Sequence, residues 1–91
     1  MAWTWDSHKD AANRAKHGVS FALAELVFAD PLHLSEPDPF PEEERWRTLG
    51  MVGTVCLFVV HTVEPGTEAS GRIISARRAT RAERRRYEEG E

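Results

Sequence analysis

A chain of 91 residues, 41% of them hydrophobic, is long enough for one domain with a single core and too short for a second domain or a deep enclosed cavity. No apolar run approaches the ~20 residues of a membrane span, the N-terminus lacks a signal-peptide pattern, and the single cysteine, Cys56, excludes a disulfide framework and indicates a reducing cytoplasm. The formal net charge of −3 argues against a protein that coats nucleic acid indiscriminately, although basic side chains are concentrated in residues 72–86.

The first elements are a short strand and a helix. Trp3-Thr4-Trp5 alternates good strand formers, and Asp6 follows as a helix N-cap. Alanines favour a helix over residues 6–17, which Gly18 closes in a left-handed conformation.

A second, more apolar helix is predicted from Ser20, its N-cap, to Asp30, which precedes a proline and is therefore pushed out of the helical region. Residues 32–35 alternate weakly and indicate a short edge strand. Residues 36–44 contain three prolines and five acids, which predicts an exposed loop without regular structure.

Three strands and a helix follow. Residues 45–52 alternate as a strand with one wet face, and residues 54–63 are apolar on both faces, which predicts a central strand. Residues 64–71 form a polar connection longer than a tight hairpin needs. A strand then begins at Arg72, and Thr80 with Glu83 forms the capping box of a final helix.

The predicted architecture is a single α+β domain over residues 1–91 in the order β-α-α-β-β-β-α. Strands joined by short connections favour an antiparallel sheet of three to four strands, with two N-terminal helices and one C-terminal helix packed on one face.

Most catalytic chemistries lack their motifs in this chain. The four histidines show no metal-binding spacing, and no glycine-rich loop leads from a strand into a helix, so we expect no metal and no cofactor. Cys56 lies in an apolar strand and is expected to behave as a small hydrophobe.

The remaining candidates are cations and proton carriers suited to an anion. RNA cleavage without a metal needs proton transfer and cations that stabilise the charge on the phosphate. The residues predicted to act in catalysis are Lys16, His17, His61, Arg77 and Tyr87, and those predicted to bind substrate are Arg72, Arg78 and Arg81. The pattern leaves an acidic protein partner or a solvated, salt-bridged face as alternatives, and His61 and Tyr87 have structural readings as well.

The chain resembles the BrnT family along nearly its whole length. The N-terminal half of the resemblance rests on Trp5-Asp6, Asn13, Lys16-His17-Gly18-Val19-Ser20-Phe21 and Val27-Phe28-Ala29-Asp30-Pro31. The C-terminal half rests on Arg45, Thr48-Leu49-Gly50, Val59-Val60-His61-Thr62, Arg72-Ile73-Ile74-Ser75-Ala76-Arg77-Arg78-Ala79-Thr80, Glu83-Arg84 and Tyr87-Glu88.

This resemblance implies a ribonuclease toxin of a bacterial type II toxin–antitoxin module with a RelE/ParE-like fold. It implies RNA cleavage without a metal, inhibition of translation, and neutralisation by a BrnA-like antitoxin through which the complex binds operator DNA. The exposed basic surface around Arg84 and Arg85 is the expected antitoxin contact. The alternative is a non-catalytic or degenerate toxin that acts only as a partner in the repressing complex.

Overall fold

The computed structural model describes residues 3–63 and 70–90, and these residues build a five-stranded sheet with helices on both faces. The strands are β1 (Trp3–Thr4), β2 (Leu34–Asp38), β3 (Arg45–Val52), β4 (Val55–His61) and β5 (Gly71–Arg78), in the sheet order β1-β5-β4-β3-β2. β4 is central, as its apolar sequence predicts. The connection predicted over residues 64–71 lies mostly outside the described residues.

Two strands make the sheet larger and more mixed than the predicted antiparallel sheet of three to four strands. β1 pairs in parallel with the start of β5, with Trp3 opposite Gly71, whereas the other strand pairs are antiparallel. β2 occupies residues 34–38, part of which was predicted to be an irregular loop. That prediction was wrong because β2 is an edge strand, where the missing N–H of Pro37 can face away from the ladder.

The N-terminal helix, α1 (Ser7–His17), begins and ends where the sequence predicts. The Asp6 carboxylate accepts hydrogen bonds from the N–H groups of His8 and Lys9, and Gly18 closes the helix at φ 73°. Its buried residue, Asn13, donates to the carbonyls of Val19 (2.9 Å) and Ala76 (2.7 Å) and accepts from the N–H of Ala76 (3.2 Å). Asn13 therefore supplies the edge of β5 with the backbone partners that β1 is too short to provide.

The predicted second helix is divided into α2 (Phe21–Ala24), capped by Ser20, and a 3-10 segment, Glu25–Ala29. The tighter segment seats Val27 directly on β3, where a Cβ atom on Gly50 would lie 2.9 Å from the Val27 Cβ. The hydrophobic core forms between these helices and one face of the sheet. Its fully buried members include Phe21, Leu57, Val59 and Ile73.

The last helix, α3 (Arg81–Glu89), packs on the opposite face of the sheet, which corrects the prediction of helices on one face. The capping box between Thr80 and Glu83 is present as predicted. No residue of α3 is buried, so it cannot join the core and is attached instead through polar side chains. None of the helices in the described parts of the chain is long and apolar enough to cross a membrane.

Candidate nucleic-acid interface

The sheet face beneath α3 carries a bonded set of arginines and glutamates, which we call the arginine face. Arg45 and Arg47 are two residues apart on β3 and therefore project from the same side of the strand. Arg72 and Arg77 come from the two ends of β5, and Arg86 reaches the sheet from α3.

Three glutamates hold these five guanidinium groups. Glu43 bonds both Arg45 (3.0 Å) and Arg72 (2.9 Å). Glu36 bonds Arg47 (3.0 Å) and Arg86 (2.6 Å). The third glutamate, Glu83, bonds one arginine, Arg77, with two contacts of 2.9 Å.

These contacts fix the charge of the set. Hydrogen bonds from arginine lower the pKa of Glu36, Glu43 and Glu83, so all three carboxylates are ionised at neutral pH. Five guanidinium groups against three carboxylates leave two positive charges unbalanced within the bonded set. An RNA phosphate can take up this excess, since arginine binds phosphate in the same bidentate geometry as carboxylate.

Arg77 is a constrained cation of the arginine face. Its guanidinium lies 4.2 Å from the centre of the Phe58 ring and bonds both oxygens of Glu83, which raises the pKa of Arg77. Stacking and bidentate bonding together leave the group little freedom to reorient. Such preorganised charge is suited to stabilising a phosphate transition state.

His61, one of the predicted catalytic residues, is 3% exposed and has both ring nitrogens occupied. Its Nε2 lies 2.7 Å from Thr48 Oγ1, and its Nδ1 lies 2.9 Å from the Thr62 carbonyl oxygen. Burial lowers the pKa of His61, which keeps the ring neutral at physiological pH. This environment is that of the structural histidine that the sequence left open as an alternative.

Tyr87 attaches α3 to the rest of the domain. Its hydroxyl donates to Asp30 Oδ2 at 2.5 Å, and the same carboxylate oxygen accepts from the N–H of Met51 at 2.8 Å. The hydrogen bond to Asp30 raises the pKa of Tyr87 to about 12. The phenol is therefore protonated at neutral pH and occupied by a structural contact.

The other predicted residues are exposed on the surface. Lys16 and His17 end α1, and across residues 3–63 and 70–90 no hydrogen bond or ion pair connects them to Arg77, His61 or Tyr87. The structure thus does not bring the five predicted catalytic residues into one bonded cluster. The exposed arginines predicted for substrate or antitoxin are Arg72, Arg78, Arg81, Arg84 and Arg85.

Arg72 is the predicted substrate-binding residue that joins the arginine face, through Glu43. Arg84 instead forms an exposed i,i+4 pair with Glu88 at 3.1 Å. Such surface pairs contribute little to stability, so Arg84 can exchange Glu88 for another partner.

Sequence reasoning missed the arginines of β3 and α3, Arg45, Arg47 and Arg86, as site residues. A signal for two of them was present, because Arg45 and Arg47 flank Trp46 in a predicted strand and therefore share its solvent-exposed face. Arg86 had no local signal, because its partner Glu36 lies on another element of the fold. Among the described residues, no three His, Cys, Asp or Glu side chains are grouped as metal ligands.

Comparison with known proteins gives a consistent match. A family model described as "Ribonuclease toxin, BrnT, of type II toxin-antitoxin system" matches residues 5–83. The chain is also similar to the 1.1 Å crystal structure of the Brucella abortus ribonuclease toxin BrnT, with 28% sequence identity and a TM-score of 0.62. That match covers 89% of this chain and 100% of the Brucella chain. Among curated proteins, none matches the sequence.

Proposed function

The chain belongs to the BrnT family of ribonuclease toxins of type II toxin–antitoxin systems, and on this premise we propose that it cleaves RNA in the cytoplasm without a metal cofactor and thereby inhibits translation. The observation that supports this activity on the molecule itself is the arginine face, with its excess of fixed guanidinium groups.

The arginine face is the proposed RNA-binding surface. Arg47 and Arg77 belong to paired strands, so their backbones are fixed by the sheet before substrate arrives. Arginine stays protonated at every physiological pH, and its planar group can bond two phosphate oxygens at once. These groups would supply positive charge where negative charge develops on the phosphate during cleavage.

Proton transfer is assigned in this proposal to carboxylates of the same face. Attack by a ribose 2′-hydroxyl forms a 2′-O–P bond while the bond from phosphorus to the 5′-oxygen breaks, so a group within hydrogen-bond reach must accept the 2′ proton and a proton must be given to the leaving 5′-oxygen. Glu36, Glu43 and Glu83 are ionised and adjoin the arginines that would hold the phosphate. His61 is too buried for this role, and the Tyr87 hydroxyl is bound to Asp30.

As a type II toxin, the protein has an antitoxin partner, and we infer that a BrnA-like protein fills this role. Arg84 and Arg85 are exposed on α3, so both side chains are accessible to an acidic segment of a partner. Neutralisation and repression of the operon would then occur in the same complex, with operator DNA contacted by the antitoxin.

The direct test is cleavage of RNA by the purified protein in the presence of excess EDTA, together with growth after induction of the protein alone. We expect cleavage and growth arrest for the native chain, and a loss of about 100-fold in cleavage rate for Arg77→Ala, comparable to removing one preorganised charge in other active sites. Arg14→Ala, which removes an exposed arginine from α1, serves as the control and should retain activity.

Soluble, folded protein that neither cleaves RNA nor arrests growth would contradict the proposal. If that protein still copurified with an antitoxin, the result would support the alternative of a non-catalytic toxin that acts only as a partner. Cleavage that EDTA abolishes would refute metal independence alone.

A further inference from the structure

An open pocket lies on the core side of the sheet, at the end where β3 begins and β4 finishes. Its lining residues among those described are Phe28, His33, Ser35, Trp46, His61 and Val63. Four aromatic or imidazole rings beside a hydroxyl group make a site for a flat, polar-edged ligand.

The walls of the pocket are held in place by ring contacts. Phe28 stacks on Trp3 with centroids 4.0 Å apart and an interplanar angle of 10°. On another side, the His61 ring meets Phe28 edge-on at 4.9 Å. Trp46, the cross-strand neighbour of His61, carries the one buried side-chain polar atom that has no hydrogen-bond partner within the described residues, its indole Nε1. Because this N–H is itself buried, it is not presented to a ligand in the pocket as a donor.

A chain of hydrogen bonds under the pocket fixes the direction of the Ser35 hydroxyl proton. The Thr62 carbonyl can only accept, so His61 Nδ1 carries a proton. Since burial keeps the ring neutral, His61 Nε2 must accept, and Thr48 Oγ1 donates to it. Ser35 Oγ, 2.7 Å from Thr48 Oγ1, then donates to Thr48. Ser35 has no proton left for the pocket and offers it only lone pairs.

His33 also presents a hydrogen-bond acceptor, through a different backbone contact. Its Nδ1 lies 2.7 Å from the carbonyl oxygen of Asp30, which can only accept, so Nδ1 carries the proton. In the neutral ring the other nitrogen, Nε2, is then an acceptor. Two side chains that line the pocket, Ser35 and His33, therefore both present acceptors, and a complementary ligand must bring donors.

We propose that this pocket binds a nucleobase that carries an exocyclic amino group, with adenine, cytosine and guanine preferred over uracil. An amino group brings two N–H donors to the acceptors of Ser35 and His33, whereas the edge of uracil presents two carbonyl oxygens around one N–H. Aromatic walls favour any base by stacking, and the acceptors supply the discrimination.

The position of the pocket connects this inference to the proposed function, on which its RNA form rests. Trp46 lines the pocket on one side of β3, while its neighbour Arg45 projects from the other side and shares Glu43 with Arg72. An RNA strand that crosses this end of the sheet can place a phosphate against Arg45 and Arg72 and the adjoining base in the pocket. A free nucleotide offers the same chemistry without the flanking phosphates.

Binding is tested on the intact protein by NMR titration of the indole N–H signals with cytidine, adenosine and uridine monophosphate, and with ribose 5-phosphate as the baseless probe. The chain has three tryptophans, and Trp46→Phe identifies the Trp46 signal. We expect saturable shifts of the Trp46 signal, with cytidine monophosphate binding about tenfold tighter than uridine monophosphate, the equivalent of one hydrogen bond.

The variant His33→Phe keeps an aromatic ring and removes the acceptor, and it should reduce the preference for cytidine over uridine severalfold. His8→Phe makes the same change at an exposed histidine on α1 and should leave the preference intact. Equal shifts with ribose 5-phosphate, no shift of the Trp46 signal, or an unchanged preference in His33→Phe would overturn the proposal.

Two further measurements show whether the base comes from RNA or from a free nucleotide, and whether this inference and the proposed function fail separately. Tighter binding of a tetranucleotide than of its own mononucleotide assigns the pocket to RNA, and equal binding assigns it to a free nucleotide. Base binding by a protein that does not cleave RNA would refute the ribonuclease proposal and leave the pocket standing. Cleavage of RNA by a protein that binds none of the mononucleotides would refute the pocket alone.

Discussion

Replacing Glu83 by glutamine gives the sharpest separation between a structural and an RNA-binding role for Arg77. Glu83 bonds both terminal nitrogens of Arg77 at 2.9 Å and also accepts from the Thr80 N–H at 2.8 Å in the capping box. Glutamine retains a carbonyl oxygen that can serve the cap. The substitution therefore removes the negative charge beside Arg77 while leaving α3 its N-terminal contact.

Two effects of known direction are expected. The pair is partly exposed, with side-chain exposures of 35% and 19%, so its loss should cost only about 1 kcal/mol of unfolding free energy after allowance for screening. For a domain of this size that corresponds to a decrease of roughly 4–8 °C in Tm. The second effect is on charge, because the bonded set would then hold five guanidinium groups against two carboxylates.

The charge effect is measurable as the salt dependence of RNA binding. Fluorescence anisotropy with a single-stranded RNA, repeated over a range of KCl concentrations, gives the slope of log K against log salt. One additional phosphate contact at Arg77 should make that slope steeper by about 0.7. Glu88→Gln makes the same change in net charge on the exposed side of α3, where Glu88 is 59% exposed, and should leave the slope nearly unchanged.

The reasoning would be refuted by a particular combination of results. If Glu83→Gln lowered Tm as expected but changed the slope no more than Glu88→Gln, Arg77 would be a structural cation and not part of the RNA surface. A decrease in RNA affinity at low salt in Glu83→Gln would contradict it as well, because a newly unpaired guanidinium should bind phosphate more readily.

Two further predictions concern how the helices are held. Asn13→Ala removes three hydrogen bonds between α1 and its neighbours and leaves buried backbone groups unpaired. The free energy of unfolding in urea should therefore fall by about 2–4 kcal/mol, whereas Arg14→Ala should change it by less than ~0.5 kcal/mol. A loss below about 1 kcal/mol for Asn13→Ala would mean that water replaces the amide. Tyr87 is the single tyrosine, so alkaline absorbance titration reports its pKa directly, and it should titrate at about 12 in the native protein and nearer to its ordinary value of 10.0 in Asp30→Asn. Because the folded pKa is raised, the stability contributed by Tyr87 is fully present below pH 10 and lost as pH rises through about 12; a native titration near 10 would show that the Asp30 contact does not persist in solution.

The attachment of α3 by Arg77, Arg86 and Tyr87 also bears on how an antitoxin would act. The carboxyl partners of the two arginines, Glu83 and Glu36, have a lowered pKa, so these contacts contribute stability above the ordinary carboxyl value of 4.5 and lose it as pH falls through the lowered value. A helix held by ion pairs can be loosened by charge without disturbing the core. We therefore expect an acidic partner segment to compete for these ion pairs and to alter the position of α3 while the sheet stays intact.

The sequence by itself determined the features that depend on neighbours along the chain. Asp6, Ser20 and Thr80 cap their helices as predicted, and β3 spans Arg45–Val52 as its alternation indicates. Capping bonds and side-chain alternation act over two to four residues, so the order of residues contains the whole signal. The BrnT resemblance was likewise available from local blocks of sequence, and the family match confirms it.

Only the tertiary structure decided which distant residues meet. β1 pairs in parallel with β5 at the far end of the chain, and Pro37 enters a strand because that strand lies at the sheet edge. The arginine face exists because Glu36 bonds both Arg47 and Arg86, residues from three separate elements. Placement on one face or the other follows from packing and charge pairing between elements, and neither leaves a periodic trace in the sequence.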